Sequence, residues 1–296
     1  MIREVVVASG KGGTGKTFAS SNLAVFLQSE LGGGVVCADA DVEAPDLILA
    51  LGGCSEVLEE REFAGSGLPV VDYEACAKCG ACVEACRFGA LSMGERGPVV
   101  DPDSCEGLGT CAVVCPRGAI SMRERVIGRM IVARSGAGLL TVTGDLNVGE
   151  GNSGRLVYEI KAKARELAAR EGAEYLVVDS APGIGCPVIS SISGADLVLV
   201  VVEPTPQSLT GAKRLVEVAE CLRVDWRVLV NKWDVSPGFA SRIEEEFSPR
   251  VVGSVPYDFR VVVSYSKMVP LLLLSPESEA SRRLREAFSR LLEVLR

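Results

Sequence analysis

The sequence predicts an α/β fold built on a mostly parallel, doubly wound sheet and interrupted by a small cysteine-rich domain. Three observations carry that expectation. Short apolar runs alternate with helical stretches along both flanks of the chain, the pattern of βα units around a sheet covered on both faces. A glycine-rich loop joins the first of these runs to the first helix. Between residues 68 and 123 the helical periodicity fades and seven of the 11 cysteines gather.

The elements follow in order. Residues 4–9 form a β-branched run, and residues 16–31 place Leu23, Val25, Phe26 and Leu27 at helical spacing. A second strand is expected at 35–38, then a loop at 39–45 and a short helix near 47–51. After the cysteine-rich block, strands are expected at 129–133 and 139–143, a glycine-rich turn at 149–154, and an amphipathic helix at 155–170. A buried strand at 175–178 ends at Asp179; further strands at 197–202, 227–230 and 251–254 alternate with helices near 209–221 and 239–246. The stretch 275–296 is amphipathic and, with Glu286 and Glu293 among its residues, is expected to dock on the sheet rather than on a membrane. The chain therefore divides into 1–67, the insertion 68–123, and 124–296. Right-handed crossovers put ligands at the carboxyl ends of the strands.

Composition limits the chemistry. The chain of 296 residues is 48% hydrophobic, enough for a sizeable core, and holds no histidine. That absence excludes Ser-His and Cys-His nucleophile pairs, histidine-ligated zinc or haem, and Rieske clusters. A net charge of -8 disfavours a long footprint on nucleic acid or on an anionic membrane, so no nucleic-acid partner is expected. No run approaches the ~18 apolar residues of a membrane span, and residues 1–7 lack a signal peptide's apolar region. The expected location is cytoplasmic, where thiols stay reduced, so metal or cluster ligation explains the cysteines better than disulfides.

Gly10, Lys11, Gly12, Gly13, Thr14, Gly15, Lys16 and Thr17 satisfy GxxxxGK[ST] between a strand and a helix. In such a P-loop the glycines let backbone N–H groups converge on phosphate oxygens, the lysine neutralises the β/γ-phosphates, and the threonine hydroxyl reaches Mg²⁺. Asp39 and Asp41 follow the second strand and Asp179 ends a later one. Carboxylates at strand ends beside a P-loop suit contacts to Mg²⁺ and orientation of an attacking water. Asn231, Lys232 and Asp234 also fit NKxD, the guanine reader of GTPases, which leaves GTP open beside ATP.

Cys76, Cys79, Cys82 and Cys86 have the spacing CxxCxxCxxxC, that of a bacterial ferredoxin half; zinc is the other metal that CxxC pairs hold. An offset of 29 residues, without a gap, carries Cys76 to Cys105, Cys82 to Cys111, Cys86 to Cys115 and Val71 to Val100. In this duplicated unit the fourth cysteine of each half ligates the other cluster. Cluster one is then Cys76, Cys79, Cys82 and Cys115, a full set for [4Fe–4S]. Cluster two has Cys86, Cys105 and Cys111, but Leu108 stands where Cys79 stands in the first half. Three thiolates suit [3Fe–4S], an incomplete [4Fe–4S] with an exogenous ligand, or a lost site. Arg87 replaces the proline that Pro116 keeps after the corresponding cysteine. Cys37 in a buried strand and Cys221 on a helix are expected to be small core residues, Cys54 carries no motif, and Cys186 lies in the segment after Asp179.

The second lysine, Lys11, makes the loop KGGTGKT. With it, the chain resembles the MinD/ParA/Mrp/nitrogenase-iron-protein class of P-loop ATPases. DADVEAP (39–45), DSAPGIGCPV (179–188), EPTP (203–206) and VPYD (255–258) resemble MinD-superfamily ATPases with an inserted ferredoxin domain. The resemblance implies an ATP-dependent homodimer in which Lys11 reaches the partner's nucleotide. It implies that Asp41 positions the hydrolytic water, that Thr17, Asp39 and Asp179 support Mg²⁺, and that Asn231 with the backbone near Pro256 holds adenine. Asp46 stands where the class commonly has Asn. The implied function is an ATP-hydrolysing iron–sulfur protein that couples nucleotide state to electron transfer or cluster delivery, its redox partner or client apoprotein unidentified. The alternative is a positioning or partitioning ATPase whose ferredoxin module is structural or partner-binding.

Lys16→Ala should weaken ATP binding by roughly tenfold to a hundredfold, the worth of one charge-assisted contact, in an equilibrium titration with fluorescent ATP.

Overall fold

A computed structural model of the chain describes residues 2–32, 34–65, 67–150 and 153–295. In chain order the elements begin β1 (Arg3–Ser9), α1 (Lys16–Leu31), β2 (Val35–Ala40), α2 (Leu47–Ala50), β3 (Cys54–Ala64) and β4 (Leu68–Val71). There follow α3 (Ala81–Ala85), β5 (Leu91–Met93), β6 (Pro98–Val100), α4 (Thr110–Val113), β7 (Ile120–Arg123), β8 (Val126–Ser135) and β9 (Leu140–Leu146). The chain continues with α5 (Ser153–Arg170), β10 (Tyr175–Pro182), α6 (Cys186–Ile192), β11 (Leu197–Val202), α7 (Pro206–Cys221) and β12 (Asp225–Asn231). It ends with α8 (Pro237–Phe247), β13 (Val251–Val255), α9 (Phe259–Lys267), α10 (Leu271–Leu274) and α11 (Glu279–Leu295).

Two compact units result. The first comprises Met1–Arg61, Met130–Asp145 and Ser153–Arg296; the second comprises Glu62–Arg129 and Leu146–Asn152. The large sheet has the order β13-β12-β11-β1-β10-β2-β9-β8-β3, and its pairs from β13 to β9 are parallel. Every residue of β2 and β11 is buried, as expected of strands covered on both faces. Register places Asp39 beside Asp179 across β2 and β10, with Val7 on the other side of Asp179. The strand-end carboxylates thus meet next to the loop that follows β1.

The strands run longer than their apolar cores suggest, because polar ends such as Asp179–Pro182 and Asp225 still pair in the sheet. Several elements have no counterpart in the sequence reading: β3, α6, α9, α10 and the short strands and helices of the second unit. β3 is an edge strand whose first nine residues are exposed, so it lacks an apolar repeat. The run VVVS inside α9 favours a strand by propensity, yet it forms a helix capped at its start by the Asp258 carboxylate, which accepts from Arg260 N at 2.9 Å. The expected turn at 149–154 includes Gly151 and Asn152, which lie outside the described residues. α11 docks its apolar face as expected: Leu284, Phe288 and Leu291 are fully buried, and Phe288 meets Phe26 of α1 at a ring separation of 5.6 Å.

The second unit keeps the 29-residue repeat. Val71 of β4 pairs with Ile120 of β7, and the repeat-related Val100 of β6 pairs with Leu91 of β5. Each half therefore donates a strand to the other. α3 and α4 follow Gly80 and Gly109, both in the left-handed region at φ 78° and 73°. Cys82, Leu91, Cys111 and Ile120 form a small core of equivalent residues.

Phe288→Ala should lower stability by about 3–5 kcal/mol, the cost of truncating a buried aromatic and leaving its cavity, in urea unfolding followed by circular dichroism.

Candidate functional site

The loop 10–17 takes its shape from two glycines that cannot be replaced. A Cβ on Gly10 would lie 2.1 Å from the backbone of Gly211 in α7, and one on Gly15, whose φ is +96°, would lie 2.3 Å from the Asn231 amide. The loop is thereby pressed against α7 and β12, and it ends where α1 begins, so its N–H groups and the helix terminus face one place. A cavity of about 480 Å³ opens there. Its lining comprises Gly12, Gly13, Gly15, Lys16 and Thr17 of the loop, Asp41 and Asp46, and Asn231, Pro256, Tyr257, Val262 and Tyr265.

Beneath the cavity lies a buried acidic pair. The Thr17 hydroxyl lies 2.6 Å from Asp179 Oδ2 and 3.0 Å from Asp46 Oδ1, and the Ser20 hydroxyl donates to Asp179 Oδ1 at 2.7 Å. Burial raises the Asp179 carboxyl to about 6, against the opposing charge of Lys16. Burial, followed by the charge of Asp179, also pushes Asp39 well above its ordinary range. Asp39 spends both oxygens on backbone: Oδ1 accepts from Asp41 N at 3.2 Å and Oδ2 from Leu47 N at 2.9 Å. It therefore shapes the loop that presents Asp41. Asp41 reaches the cavity with Oδ2 4.0 Å from Lys16 Nζ, and burial raises its carboxyl although Lys16 opposes the shift. Thr17 and Asp179 offer oxygen donors suited to Mg²⁺.

Lys11 points elsewhere. Its Nζ is 2.5 Å from Glu203 Oε1, while Glu203 Oε2 takes Lys232 Nζ at 3.1 Å. Burial would raise the Glu203 carboxyl, but hydrogen bonds from Lys11 and Lys232 outweigh it and hold the group below its ordinary range. The NKxD residues are engaged too. Asn231 Nδ2 donates to Thr14 O at 2.8 Å, Lys232 Nζ to Gly13 O at 2.9 Å, and Asp234 Oδ1 accepts from Tyr257 N at 2.6 Å. Glu203, Asp46, Ser20 and Tyr265 join the site without having been singled out as site residues. Ser20 could have been found from its place one helical turn after Lys16.

In the second unit, among the described residues, no three Cys, Asp or Glu side chains are drawn together as ligands of one metal ion. The thiols nevertheless sort by cavity. Cys76, Cys79, Cys82 and Cys115 line one small cavity; Cys86, Cys105 and Cys111, with Leu108, line another. Lys78 N donates to Cys76 Sγ at 3.4 Å and Ala119 N to Cys115 Sγ at 3.2 Å. Outside this unit Cys37 is buried, its thiol pushed up to about 12 by burial and by Asp179 and Asp39. Cys54 and Cys186 are exposed, and so is Cys221, which lies on the outer side of α7 rather than in the core expected for it.

The sheet order, the strand-loop-helix around Lys16 and the cavity above Thr17 define a P-loop nucleotide-binding protein. More closely, the chain belongs to the CobQ/CobB/MinD/ParA nucleotide-binding domain family, whose model matches residues 5–271. It is 31% identical to the uncharacterized protein MJ0578 of Methanocaldococcus jannaschii, over 100% of this chain and 98% of that one. Its fold is similar to the MinD cell division protein of Aquifex aeolicus, with TM-score 0.60 and 20% identity over 98% of this chain and 97% of that one. It is also similar to a ParA family ATPase from Chlorobium tepidum, with TM-score 0.58 and 16% identity over 98% of each chain. At these identities the structural likenesses speak for the ATPase fold. They run the length of the chain and do not set apart the ferredoxin-like insertion expected from the cysteine spacing. No helix among the described residues is long and apolar enough to cross a membrane.

Because burial moves Asp179 from its ordinary 3.8 to about 6, the folded state holds an extra proton between those values. That contribution to stability is present at low pH and is lost as pH rises through about 6. In nucleotide-free protein, thermal unfolding from pH 4.5 to 7.5 should show this loss, and Asp179→Asn should flatten it.

Proposed function

We propose that the protein is an ATP-hydrolysing switch of the positioning and partitioning kind, in which Mg-ATP controls association of two copies and the state of the second unit towards a partner. The observation that carries this reading is the cavity above Thr17, with Lys16 and Asp41 4.0 Å apart in its lining. Asp41 orients the attacking water and Lys16 neutralises transferred charge, the two demands of phosphoryl transfer. Thr17 and Asp179 hold Mg²⁺, which would neutralise phosphate charge when bound; Asp39 supports them by fixing the loop between Asp41 and Leu47. Adenine is the better base for the part of the cavity lined by Asn231, Pro256 and Tyr257. The Asp234 carboxylate, which would read guanine, already accepts from Tyr257 N, and Asn231 ties β12 to the loop at Thr14. Lys11, on Glu203 in its own chain, is the residue that would cross to the partner's nucleotide in a homodimer. The likeness to proteins named for cell division and to a ParA family ATPase supports positioning over electron transfer, and the net charge of -8 speaks against a DNA-bound form of it.

A second reading rests on the thiols. Their sorting into Cys76, Cys79, Cys82, Cys115 and Cys86, Cys105, Cys111 matches two crossed cluster sets, and N–H donors on Cys76 and Cys115 suit sulfur ligands. On this reading the second unit, 68–123 by sequence, is a ferredoxin-like module with a [4Fe–4S] cluster and a three-thiolate [3Fe–4S] or incomplete site. Leu108, 70% exposed, leaves the second set one ligand short. Iron–sulfur clusters would supply one-electron chemistry, and the ATPase would gate electron transfer or cluster delivery.

Asp41→Asn should bind ATP with near-normal affinity while turnover falls about a hundredfold; normal turnover removes Asp41 from catalysis. Anaerobic purification with iron and sulfide quantitation and EPR, with ATP and with ADP, separates the two readings. Two unequal clusters, the second made conventional by Leu108→Cys, would carry the second reading; absence of iron and sulfide leaves positioning.

A further inference from the structure

The first unit holds a buried ion cluster that takes no part in nucleotide binding. Lys161 of α5 is 2% exposed, and its Nζ is 2.8 Å from Glu4 Oε1 in β1. The same ammonium donates to the carbonyls of Ser190 at 3.2 Å, Ser193 at 2.9 Å, and Ser191. Those carbonyls lie at the C-terminal end of α6, where a cation meets the negative end of the helix. Arg165, one turn further along α5, holds the other Glu4 oxygen at 2.6 Å and donates to Gly194 O at 3.3 Å.

The start of α6 is close to α5 as well. A Cβ on Gly154 would stand 3.3 Å from the Cys186 Cβ, so the start of α5 lies against the start of α6, and further along α6 the Ser190 Oγ donates to Gly154 O at 2.8 Å. α6 in turn follows β10, which carries Asp179, through the short segment 183–185.

The opposite partner of α5 is β3. Glu159 Oε2 pairs with Arg61 at 2.9 Å, and Lys163 Nζ with Glu59 Oε2 at 2.8 Å. Glu159 and Lys163, four residues apart, share a helix face. β3 is an edge strand, exposed from Cys54 to Glu62, and beyond Arg61 its chain passes into the second unit.

A fully buried lysine is costly unless its partners are fixed, and removing one partner leaves a charge stranded. Packing α5 on the sheet needs only its apolar face, which Leu156, Ile160, Ala164 and Leu167 supply. The ammonium adds a tie between α5 and the end of α6 that apolar contact does not. We propose that Lys161 joins α5 and α6 into one rigid body, and that α5 acts as a lever passing nucleotide-dependent movement of residues 183–193 to β3, and along the chain to the second unit. Lys161 is on this account a positioning residue. The lever rests on the proposed ATP switch, extended here to residues 183–193, which follow the β10 strand that carries Asp179, and it holds whichever function the second unit has.

Hydrogen exchange with mass spectrometry on the full chain tests it, comparing nucleotide-free protein with Mg-ADP and Mg-AMPPNP. In the wild type, exchange should respond to nucleotide at 183–193 and at 55–61. In Glu159→Gln/Lys163→Gln the response at 183–193 and the nucleotide affinity should persist, while the response at 55–61 falls roughly fivefold or more, a typical coupling between sites. Lys161→Met should give the same split, and the surface double variant decides the matter if that protein does not fold. A response at 55–61 that is absent in the wild type, or equal in the variants, overturns the lever alone. No response at 183–193 in the wild type overturns the switch reading and the lever with it.

Discussion

Asp179 sits at the end of a central strand with no exposure to solvent, and hydroxyls of Thr17 and Ser20 hold both its oxygens. Around this carboxylate the first unit is organised. β10 carries it between β1 and β2, and α1 supplies the hydroxyls one turn apart, so this side chain ties strand and helix together at the loop, above the apolar core that packs α1 on the sheet. The arrangement has a cost. Asp39 lies alongside in register, Asp46 approaches the same threonine, and Cys37 is forced to remain a thiol beneath them. Burial raises the carboxyls of both Asp179 and Asp39. Lys16 is the counter-charge present in the chain, and a divalent cation with nucleotide phosphate would complete the balance.

The loop geometry follows from the same packing. Gly10 allows the chain to touch Gly211 backbone to backbone, and Gly15 leaves room for the Asn231 amide, which then holds Thr14. Residues more than 200 positions apart thereby set the shape of eight. Substitution at either glycine would displace the loop from Lys16 onwards.

How much of this was legible depends on whether a residue's role is local. Lys16, Thr17 and Asp179 could be read because a glycine-rich loop and an apolar strand end dictate what stands next to them. Asp39 is expected from sequence to support Mg²⁺; its oxygens accept from the backbone of Asp41 and Leu47, a direction that sequence does not give. Glu203 was noted only within a motif, since the ion pair with Lys11 joins two strand ends that no spacing relates. β3 escaped because an exposed edge strand has no apolar alternation, and α9 because Val261, Val262 and Val263 have β propensity that tertiary contact overrides. The repeat in the second unit was legible without a gap, and the exchange of strands between its halves gives the physical reason why thiols from both halves line each cavity.

The pairing of Lys11 with Glu203 bears on how the proposed dimer could form. The Lys11 side chain is 30% exposed, and a partly exposed pair of this kind contributes about 0–1 kcal/mol. Lys232 already satisfies the other Glu203 oxygen at 3.1 Å, so departure of Lys11 does not strand the carboxylate. A triphosphate offers the lysine several charged oxygens in a site that association would remove from water, where the attraction is stronger. Glu203 therefore holds Lys11 in place at little energetic depth, tightly enough to order the loop and loosely enough to release it when a second nucleotide-loaded copy approaches.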